Sequence, residues 1–138
     1  MLYSKLLGKT TKTVSSEEES VNAQFLILGG FISKQMAGVY NYLPFGLRVL
    51  TKIQNIVREE MLTVGANEIL MPSLTQEESY KTTGRDAMDV LFHTEGPGGA
   101  KYVLNPTHEE IVTPLVQKFV FSYHDLPLCA FQIQNKYR

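Results

Sequence analysis

The sequence predicts a mixed α/β (α+β) fold on three observations. Leu50, Ile53, Val57, Met61 and Val64 recur at steps of three and four, the period of one helix face. Residues 130–138, from Ala130 to Arg138, alternate apolar and polar as a strand does. Residues 89–94 and 101–104 flank the turn-forming Gly96-Pro97-Gly98-Gly99 and read as two antiparallel strands. A length of 138 residues with 43% hydrophobic content suits one globular domain or part of one. It excludes collagen-like, coiled-coil and wholly disordered classes.

Residues 1–15 mix Ser, Thr, Lys and Gly with little periodicity and are expected to form an amino-terminal arm, with 16–138 as the folded remainder. Ser16 and Glu19 have capping-box spacing, and Glu17, Glu18 and Glu19 suit the positive end of a helix that runs through Phe25 and Leu28 to a stop at Gly29-Gly30. Gly38, Asn41, Pro44 and Gly46, set among Phe31, Tyr40, Tyr42 and Phe45, predict a compact ordered connection anchored by aromatic rings. The long helix follows and ends at Gly65, after which Glu68-Ile69-Leu70-Met71 ahead of Pro72 reads as a short strand packed with it. Thr75 and Glu78 have capping spacing for a brief helix near Tyr80, and Thr83-Gly84-Arg85-Asp86 reads as a polar loop.

Thr107 and Glu110 repeat the capping-box spacing, with Ile111, Leu115, Val116 and Phe119 as the buried stripe of the helix behind them. Pro114 falls inside that helix, where its ring opposes the carbonyl of Glu110 and predicts a bend. The closing strand places Gln132, Gln134, Lys136 and Arg138 on one face and Phe131, Ile133, Asn135 and Tyr137 on the other. That strand stops at its tip without a hairpin partner, so the chain reads as a fragment of a larger sheet. No internal repeat is visible.

Several function classes drop out. No apolar run reaches the roughly 18 residues of a membrane span, since Phe25-Leu26-Ile27-Leu28 is stopped by Gly29. Thirteen Lys+Arg against fourteen Asp+Glu give a net charge of -1, which leaves room for an RNA partner only through a local basic patch. The single Cys129 cannot form an internal disulfide and is expected to be a buried small side chain, in a cytoplasmic protein. Lys5, Lys9 and Lys12 could instead mark an organellar leader, but arginine is missing there. His93, His108 and His124 lack metal-ligand spacing, so no zinc is expected, and Gly96, Gly98 and Gly99 are not in a phosphate-loop pattern.

The strongest local site is Asn105-Pro106-Thr107-His108-Glu109-Glu110, where a strand gives way to a helix with free backbone donors. Glu110 can return a bond to the Thr107 backbone as a structural cap, whereas Glu109 can face a cationic ligand. Compensation of the helix dipole would account for both glutamates without any ligand.

Three blocks in order resemble the amino-terminal part of the bacterial-like prolyl-tRNA synthetases, which are class II aminoacyl-tRNA synthetases. They are Ala37-Gly38-Val39-Tyr40-Asn41-Tyr42-Leu43-Pro44-Phe45-Gly46 with Arg48-Val49-Leu50, then Ile56-Val57-Arg58-Glu59-Glu60-Met61 through Gly65-Ala66 to Met71-Pro72, and Pro106-Thr107-His108-Glu109-Glu110 through Tyr137-Arg138. The resemblance covers roughly residues 16–138, with the second block similar to class II motif 1 and the third to the proline-recognition segment and the start of motif 2. It implies a six- or seven-stranded antiparallel catalytic sheet with flanking helices, only partly present here.

What the resemblance implies for chemistry is specific. The complete enzyme would be a proline–tRNA ligase, activating proline with ATP and Mg²⁺ and transferring it to tRNA(Pro), as a homodimer joined through motif 1. Thr107 and Glu109 would recognise proline's secondary ammonium, which favours a ligand role for Glu109 over dipole compensation. Arg138 would be the catalytic arginine, binding both proline's carboxylate and ATP's α-phosphate, a task suited to a rigid fork of donors. His108 is left as a local structural residue. Asn105 stands where the family often has glycine, and Tyr137 where it often has phenylalanine, which touches the geometry but not the charged ligands. An editing insertion and an anticodon-binding domain would lie downstream. A synthetase-like regulatory or tRNA-binding protein without catalysis, or a structural dimerisation domain, are the competing readings.

Overall fold

A computed structural model describes residues 2–15 and 18–138. Its contacts divide the chain into two units, Met1–Glu59 and Glu60–Arg138.

In the first unit a single 3-10 turn, Tyr3–Lys5, opens the arm, and the Tyr3 ring stacks on Phe45 with centroids 5.6 Å apart. The Thr11 amide donates to the Leu28 carbonyl, so the arm is tied to the helix α1, Val21–Leu28. That helix starts later than the capping-box spacing implies. Ser16 and Glu17 lie outside the described residues, and the N-cap is Ser20, whose hydroxyl accepts from the Ala23 amide at 3.4 Å. The physical reason is that Glu18 is taken up elsewhere: its carboxylate pairs with Lys34 at 3.0 Å and accepts from the Tyr40 hydroxyl at 2.9 Å. At the other end, the Gly30 amide reaches Ile27 and the Phe31 amide reaches Leu26, a glycine cap that bears out the stop at Gly29-Gly30.

The expected aromatic connection is an antiparallel hairpin of β1, Ile32–Met36, and β2, Val39–Tyr42, turning at Gly38 with φ +73°. Only Ile32 of its apolar residues is buried, which is why the alternation of a half-buried strand was hidden in the sequence. The helix α2, Pro44–Thr63, begins on proline and ends where the Gly65 and Ala66 amides cap the Leu62 and Met61 carbonyls, as its glycine predicts. A Cβ at Gly46 would lie 2.1 Å from the Phe31 carbonyl oxygen, so glycine is required for the helix to approach the hairpin. The stripe of α2 is partly uncovered: Ile53 is 54% exposed and Val57 47%.

In the second unit a three-stranded antiparallel sheet has the order β4–β6–β5, with β4 Leu74–Gln76, β5 Phe92–Glu95 and β6 Lys101–Leu104. The expected pairing of the two runs around the glycine turn is borne out, with His93 opposite Val103. Thr75 is a strand residue opposite Val103 rather than a cap, and the helix α3, Glu77–Thr82, follows Gln76 directly. Tyr80, Leu91 and Val103 form the buried cluster.

The strand β3 is only Asn67–Glu68, paired parallel with β7, Ala130–Phe131. Residues 132–138 are not a regular strand: the Gln134 and Arg138 side chains donate to the Met71 and Pro106 carbonyls, and the Tyr137 amide donates to the Asn105 carbonyl, without a continuous ladder. Cys129 is exposed, contrary to expectation, because the irregular segment before β7 leaves it uncovered. The architecture is mixed α/β with antiparallel and parallel pairings flanked by helices. No described helix is long and apolar enough to cross a membrane.

Candidate functional site

The helix α4, Glu109–Gln117, runs through Pro114 and follows β6 by a short connection that opens on the buried Asn105. Asn105 sets the base of the site. Its side chain donates to the Pro72 carbonyl at 2.9 Å and accepts from the Tyr80 hydroxyl at 3.0 Å, and its carbonyl accepts from the Tyr137 amide at 3.1 Å. An asparagine at this position thus joins the Pro72 loop, the core tyrosine and the final segment.

The capping box expected of Thr107 and Glu110 does not form. The N-cap is His108, without a side-chain cap bond, and Glu110 turns inward instead. Its carboxylate, 1% exposed, pairs through Oε1 with Arg85 Nη1 at 2.8 Å, and the Thr83 hydroxyl lies 3.2 Å from the same oxygen. A buried carboxylate is drawn to a fixed cation more strongly than to a neutral amide, and that decides against the cap. Glu110 Oε2 is buried with no partner among the described residues.

Arg85 is the residue that sequence reasoning missed, having read it as part of a polar loop. Gly84, at φ +70°, reverses the chain so that the Gly84 and Arg85 amides cap the Lys81 and Tyr80 carbonyls of α3. The turn therefore has helix-cap geometry, and the Thr-Gly-Arg run behind a helix was the available signal. From there Nη2 donates to Thr107 Oγ1 at 3.3 Å, and Nη1 stands 3.7 Å from Glu109 Oε2.

Glu109 is the exposed member of the pair, its side chain 66% accessible. The Thr107 hydroxyl first, then its own backbone amide and Arg85, hold its carboxyl below the usual range against the opposing effect of burial. Ser79, Arg85, Glu109, Glu110, Thr113 and Gln117 help line a pocket of about 410 Å³.

On the other side, His108 is buried and its Nε2 lies 3.2 Å from the Pro72 carbonyl, while Nδ1 faces the Lys136 ammonium. Burial, then the Lys136 charge, lowers the His108 pKa, so the ring is a neutral spacer. Gln134 clamps Met71 by donating to its carbonyl at 2.8 Å and accepting from its amide at 2.9 Å. Burial, then the charge of Arg138, lowers the Lys136 pKa, with Glu109 acting in the opposite sense. Arg138 itself is exposed, and its Nε donates to the Pro106 carbonyl at 3.3 Å. Thr107, Glu109 and Arg138 are thus brought to one stretch of backbone, Pro106 to Glu109. Glu110 belongs to the wall behind it. No group of three or more His, Cys, Asp or Glu side chains among the described residues could hold a metal ion.

No protein-family model matches the chain. It is 47% identical over 140 aligned residues to the proline–tRNA ligase of Thermotoga neapolitana, covering 100% of this chain and 24% of that protein. For the proline–tRNA ligase of Moorella thermoacetica the identity is 44%, with the same coverage. The chain thus spans about a quarter of the length of the curated relatives it matches. Among solved structures, the Giardia lamblia prolyl-tRNA synthetase in complex with prolyl-adenylate is 27% identical, with a TM-score of 0.64 over 74% of this chain and 22% of that one. A Cryptosporidium parvum prolyl-tRNA synthetase, complexed with halofuginone and AMPPNP, is 20% identical with a TM-score of 0.69 over 80% of this chain and 23% of that one, a likeness of fold.

Proposed function

We propose, on the premise that this chain is a partial homologue of the bacterial-type class II prolyl-tRNA ligases, that it supplies the amino-acid side of the activation site in a full-length proline–tRNA ligase. The observation that carries the reading is the gathering of an exposed carboxylate, Glu109, and an exposed guanidinium, Arg138, at the two ends of one short backbone stretch. Proline is a zwitterion with a secondary ammonium and a carboxylate, and this pair is complementary to it.

Glu109 takes the ammonium, with Thr107 beside it. Arg138 takes the carboxylate and the α-phosphate of ATP, and lines up a carboxylate oxygen with phosphorus. The new bond is carboxyl oxygen to α-phosphorus, the bond that breaks joins that phosphorus to the bridging oxygen, and pyrophosphate leaves with the electron pair. The step transfers no proton, so orientation and countercharge suffice and no general base is called on at the buried His108. The prolyl group then passes to a ribose hydroxyl of tRNA(Pro) and AMP leaves. ATP brings Mg²⁺ as part of the substrate.

The exposed stripe residues of α2 support a homodimer, since Ile53 and Val57 are each 47% exposed or more. The free thiol of Cys129 suits the reducing cytoplasm in which such a ligase works. On this reading the 138 residues by themselves do not adenylate proline.

Pyrophosphate exchange into ATP, assayed with each standard amino acid on the full-length protein, tests the proposal. Exchange that depends on proline is expected. Exchange with no preference for proline, or preference for another amino acid, would overturn it.

A further inference from the structure

If Glu109 takes the proline ammonium, as proposed, an exposed carboxylate at the start of a helix needs its neighbours to set its position. An exposed glutamate has several rotamers, and a ligand that had to select one would bind more weakly. The neighbouring side chains supply a fixed arrangement. Glu110 is 1% exposed and its Oε1 receives Arg85 Nη1 at 2.8 Å, which anchors one edge of the guanidinium. The other edge, Nη2, donates to Thr107 Oγ1 at 3.3 Å. Arginine has donors only, so Thr107 accepts in that bond and its single hydroxyl proton is left free to point elsewhere.

We infer that Arg85 is a positioning residue for recognition of the proline ammonium: held by the buried Glu110, it donates to Thr107 and stands at ion-pair distance from Glu109, and so fixes the two side chains that face the ammonium.

Two further observations agree. The Thr107 hydroxyl is the largest influence lowering the Glu109 pKa, ahead of Arg85's own charge. Arg85 also stands 3.7 Å from Glu109, an ion-pair distance beyond hydrogen-bond reach, so it adds its charge there without taking up the hydrogen-bonding positions of the Glu109 oxygens. The fork geometry is essential, because a lysine ammonium is a point charge that does not reproduce two fixed directions. Gly84 completes the device, since its left-handed backbone delivers Arg85 from the end of α3.

The test is a double-mutant cycle on the full-length ligase, reading KM for proline and for ATP separately. Arg85→Ala is expected to raise the proline KM roughly tenfold, the scale of one lost hydrogen bond, and to leave the ATP KM within about twofold. Arg85→Lys falls between that variant and the parent, and carries the test if the alanine variant does not fold. Thr107→Val should show a similar rise in proline KM. The double variant Arg85→Lys/Thr107→Val should be no worse than Thr107→Val alone by more than about twofold, because both act through the same hydroxyl.

Multiplying effects in the double variant, parallel rises in the proline and ATP KM, or an unchanged proline KM for both Arg85 variants would each overturn the inference. Glu109→Gln serves as the reference. If it raises the proline KM while Arg85 variants do not, only the positioning role fails; if it does not, the proline site itself is wrong.

Discussion

Glu18 and Glu110 are the buried carboxylates among the described residues, one in each unit, and they are used differently. Glu18 has both oxygens engaged: Oε1 accepts from the Ser20 amide at 3.3 Å, and Oε2 meets Tyr40 and Lys34. These bonds fasten the chain before α1 to the β1–β2 hairpin. Glu110 engages one oxygen only, and the arginine it holds goes on to Thr107. The first carboxylate staples two pieces of chain together. The second holds a cation that organises a neighbouring, solvent-facing carboxylate. The difference teaches that burial of an acid does not by itself mark a site; what matters is where its partner's remaining donors point.

The largest effect should come from Glu110→Ala. Losing the carboxylate leaves Arg85 without its anchor and should destabilise the second unit by about 2 kcal/mol, below the roughly 3–5 kcal/mol of a fully buried pair because Arg85 is 31% exposed. Denaturant unfolding would read that loss, and the proline KM should rise with it. A stability loss with an unchanged proline KM would make Glu110 a staple like Glu18.

Glu18→Gln comes next and should affect stability alone. Its carboxyl is held below the ordinary range by Lys34 first and Tyr40 second. A depressed acid contributes stability that is present above the ordinary carboxylate range and lost as the pH falls through that range to the lowered value. Thermal melts of the parent should therefore fall on acidification through that window, and the Gln variant should show a flatter profile there. Equal slopes would remove Glu18 from the account.

Gly84→Ala should cost about 1 kcal/mol, because alanine meets no atom within 4 Å but must adopt φ +70°. Unlike Glu18→Gln, it should also raise the proline KM, since Arg85 shifts with the turn. The smallest change in intrinsic stability belongs to Ile53→Ser combined with Val57→Ser, within about 0.5 kcal/mol for exposed positions. Sedentary as that is for the monomer, concentration-dependent mass measurements should show loss of self-association if α2 forms the dimer face.

How much of this was legible in the sequence follows from which interactions are local. The extent of α2, the glycine stops at Gly30 and Gly65, and the β5–β6 pairing depend on neighbours in the chain, and the residue pattern carried them. The start of α1 was misread because Glu18 answers to Lys34 and Tyr40, sixteen or more positions away, rather than to the helix dipole. The same cause hid Arg85: the Thr-Gly-Arg run signals a helix-capping turn, but its partner Glu110 is 25 positions on and no local spacing points to it. The closing segment read as a long strand because Gln132, Gln134, Lys136 and Arg138 alternate, yet only Ala130–Phe131 is a paired strand among the described residues, because its partner strand is only Asn67–Glu68.

The central claim is that Glu109 supplies the countercharge for proline and not for ATP. Calorimetric titration of L-proline, and separately of a non-hydrolysable ATP analogue, into the full-length ligase and its Glu109→Gln variant tests it most directly. A fall in proline affinity of roughly 10- to 100-fold with ATP-analogue affinity unchanged is predicted, the scale of one charge-assisted bond. Equal losses for both ligands, or an unchanged proline affinity, would contradict it.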